Sequence, residues 1–520
     1  MEYLVQGLQR SVFDAEPLEA TLARHLDLPE VQAVTVEREA LDARRKNRIV
    51  WVYTLRFSAP QMTPRLQTLL AAGAVTPYTP PPMTPAEPRL TLPEQPAIVG
   101  FGPAGMFAAL FLARAGYRPL VFERGEEVAA RARSVARLWE TGELNPESNM
   151  QFGEGGAGTF SDGKLTTGKA APLDRLVLET LAAAGAPPTI LSRAKPHVGT
   201  DYLRRVVQNI RQEIVDAGGE VRFGHCFTDL HLREGRVEAI TVNGARLPTS
   251  CLVLAVGHSA RDTVRLLQER GVRMEAKPFA VGVRVEHPAA FINERQYGAA
   301  AAAVLPAADY KLTYQHGGRG VYSFCMCPGG QVVCAASEPG GQVTNGMSRY
   351  ARDGAYSNSA LVVGLDLPAL GVGSALEAMA LQQGWEQAAF RAGGGGFWAP
   401  AQRATDFLAA RVSRRLPEST YRPGIRPADL RQVLPTVVAD GLAAGLARFD
   451  RLMPGFVAQG LLVGVESRTS SPVRILRDDD CQSVSTPGLF LLGEGAGYAG
   501  GIVTCARDAL RFARLVRPRG

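Results

Sequence analysis

The sequence contains few cysteines and no long uninterrupted apolar run. Only seven of its 520 residues are cysteine, at irregular spacing and without a CxxC pair, which excludes a disulfide scaffold and makes the reducing cytoplasm the expected compartment. The longest apolar stretch, residues 97–122, is interrupted by Arg114 and by four glycines. Residues 1–4 lack the basic segment that opens a signal peptide. We therefore expect neither a signal peptide nor a transmembrane helix.

The composition also lacks the strong charge bias of a disordered chain. Charged residues make up 21% of the sequence and apolar residues 46%, and the formal net charge is +7. These values exclude the fibrous and disordered classes. A chain of 520 residues is long enough for about three domains. The 55 glycines exceed average usage, and they lie in clusters.

Residues 1–75 predict a small α/β domain. Strands are expected at 3–5, 33–37 and 49–57 and helices at 18–28 and 63–72, because the apolar side chains follow those periods. The order βαββα favours a ferredoxin-like fold. Residues 76–95 contain seven prolines, which favour an extended linker over a helix or a central strand.

A GxGxxG fingerprint follows the linker, between two predicted strands in residues 97–123. Gly100 allows a tight turn, Gly102 lets the backbone approach a pyrophosphate, and Gly105 lets the helix pack against the strand. The N-terminus of that helix offers free N–H groups to an anion. Glu123 ends the second strand and is placed to accept hydrogen bonds from a ribose. The motif predicts a site for FAD or NAD rather than NADP.

Three later segments favour FAD. The loop 151–164 combines glycines with hydroxyl and lysine side chains, which suits a wrap around pyrophosphate and flavin, although a flexible surface loop is the alternative. A predicted buried strand, 251–256, ends at Gly257. Residues 487–503 predict a strand, then Glu494, a glycine-lined turn and a helix whose N-terminus would face an electronegative group.

These segments predict an α/β protein with a Rossmann-like FAD-binding domain in two parts, residues 96–276 and 451–520. An α+β substrate domain, residues 277–450, interrupts it, and the small ferredoxin-like domain precedes it. The inserted region has no second GxGxxG between a strand and a helix. A dedicated NAD(P) domain is therefore not expected, and any NAD(P)H donor would bind transiently over the flavin.

Five motifs carry a resemblance to a known family. They are GEGGAGTFSDGKL (153–165), FCMCPGG (324–330), NGMSRYARDG (345–354), VESRTSSPVRI (465–475) and GEGAGYAGGI (493–502). Over nearly its whole length the chain resembles the bacterial uncharacterised FAD-dependent dehydrogenases, or NAD(P)/FAD-dependent oxidoreductases, of the glutathione-reductase structural class. The resemblance implies bound FAD and an oxidoreductase fold, but no particular substrate.

The resemblance also implies which residues bind FAD. Those at the pyrophosphate would be Gly100, Gly102, Pro103, Ala104 and Gly105, with Glu123 at the adenosine ribose. Those along the pyrophosphate and isoalloxazine would be Gly156, Thr159, Ser161 and Lys164, with Phe227 at the adenine. Glu494 would bind the ribityl chain, and Gly501 and Ile502 would face the flavin O2 edge. The other predicted cofactor residues are Arg124, Ala255, Gly257 and Gly493.

Two basic residues are candidates for catalysis. Lys164 is the first choice for a cation near flavin N5, where it could bond N5 or orient a substrate. Arg468 lies in the polar run 466–472, which is either a contact for an anionic substrate or the flavin face, or a solvated loop. The histidines considered as proton donors, each with a structural role as the alternative, are His197, His258, His287 and His316.

Cys325 and Cys327 allow two interpretations. Two residues apart on a predicted strand, they should point to the same face, and Cys334 would lie across a hairpin. They are either small residues of a reduced core or a redox pair, although a disulfide between them would be strained on a regular strand. No Cys/His set has the spacing of a zinc site, so no metal is predicted.

The leading hypothesis is a FAD-dependent oxidoreductase that transfers a hydride between flavin N5 and a small organic molecule, for which the polar run favours a negative charge. The alternatives are a non-catalytic FAD-binding scaffold, or a flavoprotein that acts on RNA through the basic run 44–48. The diffuse positive charge makes a nucleic-acid partner the weaker expectation, and no membrane partner is expected.

Overall fold

The computed structural model describes residues 2–80, 88–168 and 171–519. Its first elements are β1 (Glu2–Ser11), α1 (Leu18–Leu26), β2 (Gln32–Asp42), β3 (Val50–Ser58), α2 (Pro64–Ala71) and β4 (Val75–Pro77). The four strands form one antiparallel sheet in the order β2-β3-β1-β4. This βαββαβ arrangement is the expected ferredoxin-like fold with one strand more than the sequence indicated. The sheet therefore extends past the expected boundary at residue 75.

Local sequence explains this small domain. In β3 the side chains of Tyr53, Leu55 and Phe57 are buried while those between them are partly exposed, so one face of the strand packs on the helices. The hydroxyl of Thr63 caps α2 by accepting a hydrogen bond from the backbone N–H of Leu66 at 3.1 Å.

The predicted linker is anchored where the structure describes it. The backbone N–H groups of Arg89 and Leu90 both donate to the carbonyl of Leu515, at 2.7 and 2.8 Å. The rest of the proline cluster, residues 81–87, lies outside the described residues.

The second part of the chain begins with the predicted strand, glycine turn and helix. Its elements are β5 (Ala97–Val99), α3 (Pro103–Arg114), β6 (Leu120–Glu123), α4 (Val128–Thr141), α5 (Pro172–Ala183), α6 (Gly199–Asp216), β7 (Glu220–Phe223), β8 (Phe227–Arg233), β9 (Arg236–Val242), β10 (Ala245–Pro248), β11 (Leu252–Leu254), α7 (Arg261–Glu269) and β12 (Met274–Ala276). The strands β10, β9 and β8 form a small antiparallel sheet in that order.

The third part is built on a mixed sheet. Its elements are β13 (Ala280–Pro288), α8 (Ala289–Tyr297), α9 (Ala299–Ala302), β14 (Thr313–His316), β15 (Arg319–Cys327), β16 (Gln331–Cys334), β17 (Thr344–Met347), β18 (Tyr356–Gly364), α10 (Ala375–Ala392), β19 (Ala399–Arg403), α11 (Ala404–Leu408), β20 (Ile425–Pro427), α12 (Thr436–Leu452), α13 (Phe456–Gln459) and β21 (Leu461–Glu466). Seven strands pair in the order β14-β15-β18-β13-β21-β19-β20, antiparallel except for the last pair. Strands β16 and β17 pair separately.

The last elements return to the second part of the chain. They are β22 (Val473–Ile475), β23 (Leu489–Leu491) and α14 (Ile502–Leu515). A parallel sheet forms in the order β23-β11-β5-β6-β7. Ile98 of β5 packs on the side of α3 and α14, whereas Val99 packs on the side of the three-stranded sheet. Both faces are covered, as in other Rossmann-like folds.

Strand β21 corrects the boundary expected at residue 451. Leu461–Glu466 pairs with β13 and β19 inside the seven-stranded sheet, so it belongs to the inserted domain. Its side chains are all buried, and a buried apolar strand does not reveal from sequence which sheet it joins. The chain enters the inserted domain through β12 and leaves it through β22, and these two strands pair as an antiparallel ribbon. Among the described residues, none of the helices is long and apolar enough to cross a membrane.

Candidate functional site

A cavity of about 440 Å³ lies where the two large sheets meet. One wall follows the carboxyl ends of β5, β6 and β11, the edge at which open α/β sheets bind their ligands. The other wall includes Phe324 and Cys325 of β15 and Glu466 at the end of β21. Fifteen of the predicted cofactor residues line this cavity, and so does Arg468. The fifteen are Gly100, Gly102, Pro103, Ala104, Glu123, Arg124, Gly156, Ser161, Lys164, Phe227, Ala255, Gly257, Glu494, Gly501 and Ile502.

Glycine is required at the first turn for two different reasons. Gly100 has φ +95°, and a Cβ there would lie 2.5 Å from the carbonyl oxygen of Ala255. At Gly102, by contrast, the nearest atom to a Cβ would be the Cα of Gly156 at 3.7 Å, and the residue faces the cavity. Gly100 is thus fixed by protein packing, whereas Gly102 leaves room for a ligand at the N-terminus of α3.

Three predicted cofactor residues lie behind the wall instead of on it. The hydroxyl of Thr159 donates to the carbonyl of Glu154 at 3.0 Å. Gly105 packs on the carbonyl of Gly100, and a Cβ on Gly493 would meet the side chain of Ala104. Their predicted contact with the cofactor stays a prediction, and close packing is a second reason for small residues at these positions.

The carboxylate of Glu123 is held by the backbone. It accepts hydrogen bonds from the N–H groups of Phe101 at 2.8 Å and of Gly125 and Gly153 at 2.9 Å. These bonds join the first turn to the glycine loop. One side of the carboxylate lines the cavity, as the predicted contact with a ribose requires.

Arg124 lines the same end of the cavity as a paired cation. It bonds Glu147 at 2.8 and 2.9 Å and Asp262 at 3.1 Å, and its guanidinium lies 4.4 Å from the ring centre of Phe152. Burial would lower the pKa of Arg124, but the two carboxylates outweigh it and raise the pKa. The planar group is therefore a fixed, charged surface.

Glu494 and the start of α14 form the far end of the cavity. Glu494 lines the cavity together with Gly501 and Ile502. Burial raises its pKa to about 7, and the charge of Lys277 only partly opposes this. A half-charged carboxyl group in a cavity fits a ligand with hydroxyl donors, and the open position at Gly102 fits a pyrophosphate. The residues present therefore suit FAD.

Lys164 is bound into a buried charge cluster. Its Nζ lies 2.8 Å from Asp162, which also accepts bonds from Arg352 at 2.6 and 2.9 Å and from the hydroxyl of Ser348. Burial would raise the pKa of Asp162, but Lys164 and Arg352 lower it, so the carboxylate stays ionised. About a third of the Lys164 side chain is exposed, toward the cavity. The predicted contact with flavin N5 stays a prediction.

Arg468 is already fully engaged by protein partners. It makes two bonds to Glu386, at 3.0 and 2.9 Å, and its remaining nitrogen donates to Ser259 at 2.9 Å and Ser337 at 2.6 Å. Arg261 binds the same carboxylate of Glu386. This arrangement favours a positioning role for Arg468 at the cavity edge over capture of an anion, and its predicted catalytic role stays a prediction.

One of the four candidate histidines, His258, lines the cavity. Its Nδ1 lies 2.8 Å from the hydroxyl of Ser259, and burial, followed by the charges of Arg468 and Arg261, lowers its pKa to about 3. It is a neutral hydrogen-bonding group at physiological pH. The other three lie elsewhere: His197 bonds the carbonyl of Tyr350, His287 bonds that of Phe456, and His316 is exposed on β14.

The cysteine motif does not form the regular strand that the sequence predicts. A β-bulge separates Phe324 from Cys327, and Cys325 inside it has φ +43°, so the two cysteines are not alternate residues on one flat face. Cys334 pairs with Thr344 in a separate ribbon rather than across from them. Cys325 lines the cavity, whereas Cys327 is fully buried.

A buried ion pair supports this bulge and is the part of the site that the sequence did not indicate. Arg284 bonds Glu466 at 2.9 and 3.0 Å, and it also donates to the carbonyl of Cys325 at 3.1 Å and to Asn358 at 2.7 Å. The side chain of Arg284 is 0% exposed. A charged residue within the apolar run of β13 is the one sequence signal that could have revealed it.

Comparison with known proteins now defines the class. Residues 98–154 match the model of an NAD(P)-binding Rossmann-like domain, and residues 278–469 match that of a FAD-dependent protein, C-terminal domain-like. An uncharacterized protein of Clostridium beijerinckii is 49% identical over 428 residues, which are 81% of this chain and 80% of the relative. Fold and site are those of a flavoprotein of the oxidoreductase class. The chain belongs to this family of FAD-dependent proteins, and its cofactor is FAD.

Similar solved structures are more distant. Glycine oxidase from Geobacillus kaustophilus is 14% identical, with 82% of this chain and 95% of that chain covered and a TM-score of 0.37. A geranylgeranyl bacteriochlorophyll reductase-like protein from Thermoplasma acidophilum is 13% identical, with 81% and 77% covered and a TM-score of 0.35. Both TM-scores are low, so neither likeness bears on the function of this chain.

Proposed function

We propose that the protein transfers a hydride between FAD and a small organic substrate that enters between the Rossmann-like domain and the seven-stranded sheet. The observation that carries this proposal is the composition of the cavity. The fingerprint residues of the FAD domain and the residues Phe324, Glu466 and Thr469 of the inserted domain line one continuous space. A site built only to store a cofactor would not need a second wall from another domain.

The residues of the first wall would hold the cofactor. Gly102 and the N-terminus of α3 suit the pyrophosphate, Glu123 the adenosine ribose, and Glu494 the ribityl hydroxyls. Gly501 opens α14, whose N-terminus would favour negative charge on the flavin. When bound, FAD supplies N5 as the atom that accepts or donates the hydride.

Residues of both walls would position the substrate and exclude water. Phe324 of the second wall offers an apolar surface, and Lys164 from the glycine loop offers a cation that Asp162 holds in place. His258 is neutral at physiological pH and so could share a hydrogen bond with a substrate without adding charge. This combination favours a substrate with an apolar body and an anionic group.

Anaerobic mixing of the FAD-loaded protein with NADH, with NADPH and with a panel of organic acids, alcohols and amines tests the proposal. We expect the absorbance of oxidised flavin to disappear after mixing with at least one of these compounds. If bound FAD is reduced by dithionite but by no compound of the panel, hydride transfer to such substrates is contradicted. The Lys164→Met variant is the matched comparison, because it keeps the glycine turns and removes the cation.

A further inference from the structure

The backbone at Cys325 is unusual for a residue inside a strand. Strands β15 and β18 pair regularly up to Phe324 and resume at Cys327 with one extra residue between them. Cys325 takes up this extra length at φ +43°, in the left-handed region that favours glycine. A non-glycine residue held in this way costs stability and is typical of functional sites.

The two thiols lie next to each other with different access. The Sγ of Cys327 lies 3.4 Å from the carbonyl oxygen of Cys325, and the two side chains share a hydrogen bond. Cys325 is partly exposed and lines the cavity, whereas Cys327 is buried beneath it. The regular-strand geometry that would strain a disulfide between alternate residues does not apply at the bulge.

Two cations flank the thiol pair. The Nζ of Lys164 and the Nη1 of Arg284 each lie 3.9 Å from the Sγ of Cys327. The hydrogen bond from Cys327, helped by these two charges, holds the pKa of Cys325 well below its usual range despite burial, and the same bond raises the pKa of Cys327. The more acidic of the two thiols is therefore the one that lines the cavity.

The other five cysteines are different. Burial raises the pKa of each of them, including Cys226, which is partly exposed, lines the cavity and has a pKa of about 11. Burial in this protein thus makes an ordinary cysteine unreactive, and the arrangement at Cys325 reverses that effect. Cys226 is a matched control for any reaction at the cavity.

We propose that Cys325 and Cys327 are a redox-active dithiol that exchanges two electrons with the bound flavin. In one direction the Cys325–Cys327 disulfide takes up two electrons and one proton from the reduced flavin anion, and the proton ends on the sulfur of Cys327. The S–S bond breaks, Cys325 is left as the thiolate, and the flavin is left oxidised. The reverse reaction forms the disulfide and reduces the flavin, so charge and protons balance in both directions. This role rests on the proposed hydride-transfer function of the same cavity.

Counting electrons tests the dithiol directly. The FAD-loaded protein is first oxidised and then titrated anaerobically with dithionite, while the flavin absorbance is recorded. We expect the wild type to take up four electrons per FAD, and Cys325→Ser and Cys327→Ser to take up two. Cys226→Ser should behave as the wild type. Two electrons per FAD in the wild type would overturn the proposal.

A second measurement does not depend on the flavin. The protein is equilibrated in thiol–disulfide buffers, trapped by alkylation and analysed by peptide mass. In oxidising buffers we expect a disulfide in the peptide that contains both Cys325 and Cys327, and in reducing buffers we expect that disulfide to be lost. Two free thiols in every buffer would contradict the proposal. If a serine variant fails to retain FAD, this measurement on the wild type still decides. Four-electron uptake without reduction by any organic substrate would keep the dithiol and reject the function proposed above.

Discussion

The two walls of the cavity are built in opposite ways. The glycine wall, defined as Gly100, Gly102, Gly156, Gly257 and Gly501, presents backbone and helix N-termini to the cavity. The cysteine wall consists of Cys325 and Cys327 with Lys164, Arg284 and Glu466, and it depends on charged side chains that are partly or fully buried. The glycine wall depends on local backbone conformation. The cysteine wall depends on charge pairing, because a buried charge that loses its partner destabilises the fold.

The largest effect is expected from breaking the buried pair behind the cysteine wall. Arg284→Met should lower the free energy of unfolding by about 3–5 kcal/mol, because it leaves Glu466 buried without its cation. Urea unfolding of the FAD-loaded protein measures this change.

Two variants show whether charge burial is the cause. Adding Glu466→Gln to Arg284→Met should recover part of the loss, because no buried charge is then left unpaired. Arg349→Ala, in the exposed Arg349–Asp353 pair at 3.0 Å, should change the stability by less than about 0.5 kcal/mol. If Arg284→Met and Arg349→Ala lowered the free energy of unfolding equally, burial of the charge would not be the cause.

The next effect is expected at the glycine wall and concerns binding rather than stability. Gly102→Val should weaken FAD binding at least about tenfold, or about 1.4 kcal/mol, because the side chain would occupy the open position at the N-terminus of α3. Gly384→Ala, at an exposed helix position where a Cβ meets nothing within 4 Å, should bind FAD normally. Fluorescence titration of the apoprotein with FAD compares the two, and wild-type affinity in Gly102→Val would contradict the assignment.

The glycine wall could be predicted from sequence because its signals are local. The turn at Gly100 and Gly102 lies within six residues, Glu123 ends the buried strand β6, and Glu494 follows the buried strand β23 closely, so spacing was enough to indicate them. Spacing does not distinguish a residue that lines the cavity from one, such as Thr159, whose side chain bonds within the loop behind it. The predicted ferredoxin-like domain likewise rested on local periodicity and is confirmed by the sheet order.

A pH dependence is the third expected effect. The pKa of Glu494 is raised to about 7, above its ordinary value of 4.5. Hydroxyl donors of the ribityl chain favour the ionised form, so binding should release a proton. FAD affinity should therefore increase as pH rises toward 7 and level off above it, by no more than tenfold per pH unit.

The stability of the apoprotein should show the opposite slope. The folded state binds the Glu494 proton more tightly than the unfolded state, so this contribution is complete below about pH 4.5 and is lost as pH rises through 7. Glu494→Gln should flatten both curves. If the variant keeps the wild-type pH profile of FAD affinity, another group titrates.

The cysteine wall could not be predicted because its parts are remote in sequence. Lys164, Arg284, Cys327 and Glu466 come from four segments. Strand pairing between β15, β18, β13 and β21 brings the last three together, and the loop that carries Lys164 packs against them. The bulge at Cys325 is equally hidden, because alternation predicts a regular strand and a bulge is a property of two strands. The same lack of pairing information caused the misplaced boundary before β21.

The smallest effect should come from Lys164. Asp162 keeps its bonds to Arg352 and Ser348 without it, so Lys164→Met should change the free energy of unfolding by less than about 1 kcal/mol. Loss of a charge near 4 Å from the thiol pair should still raise the pKa of Cys325 and slow its alkylation near neutral pH about fivefold, or about 1 kcal/mol. Lys164→Arg should restore most of the rate. Alkylation at an unchanged rate in Lys164→Met would show that Arg284 alone stabilises the thiolate, and the cysteine wall would then be independent of the loop that forms the flavin side of the cavity.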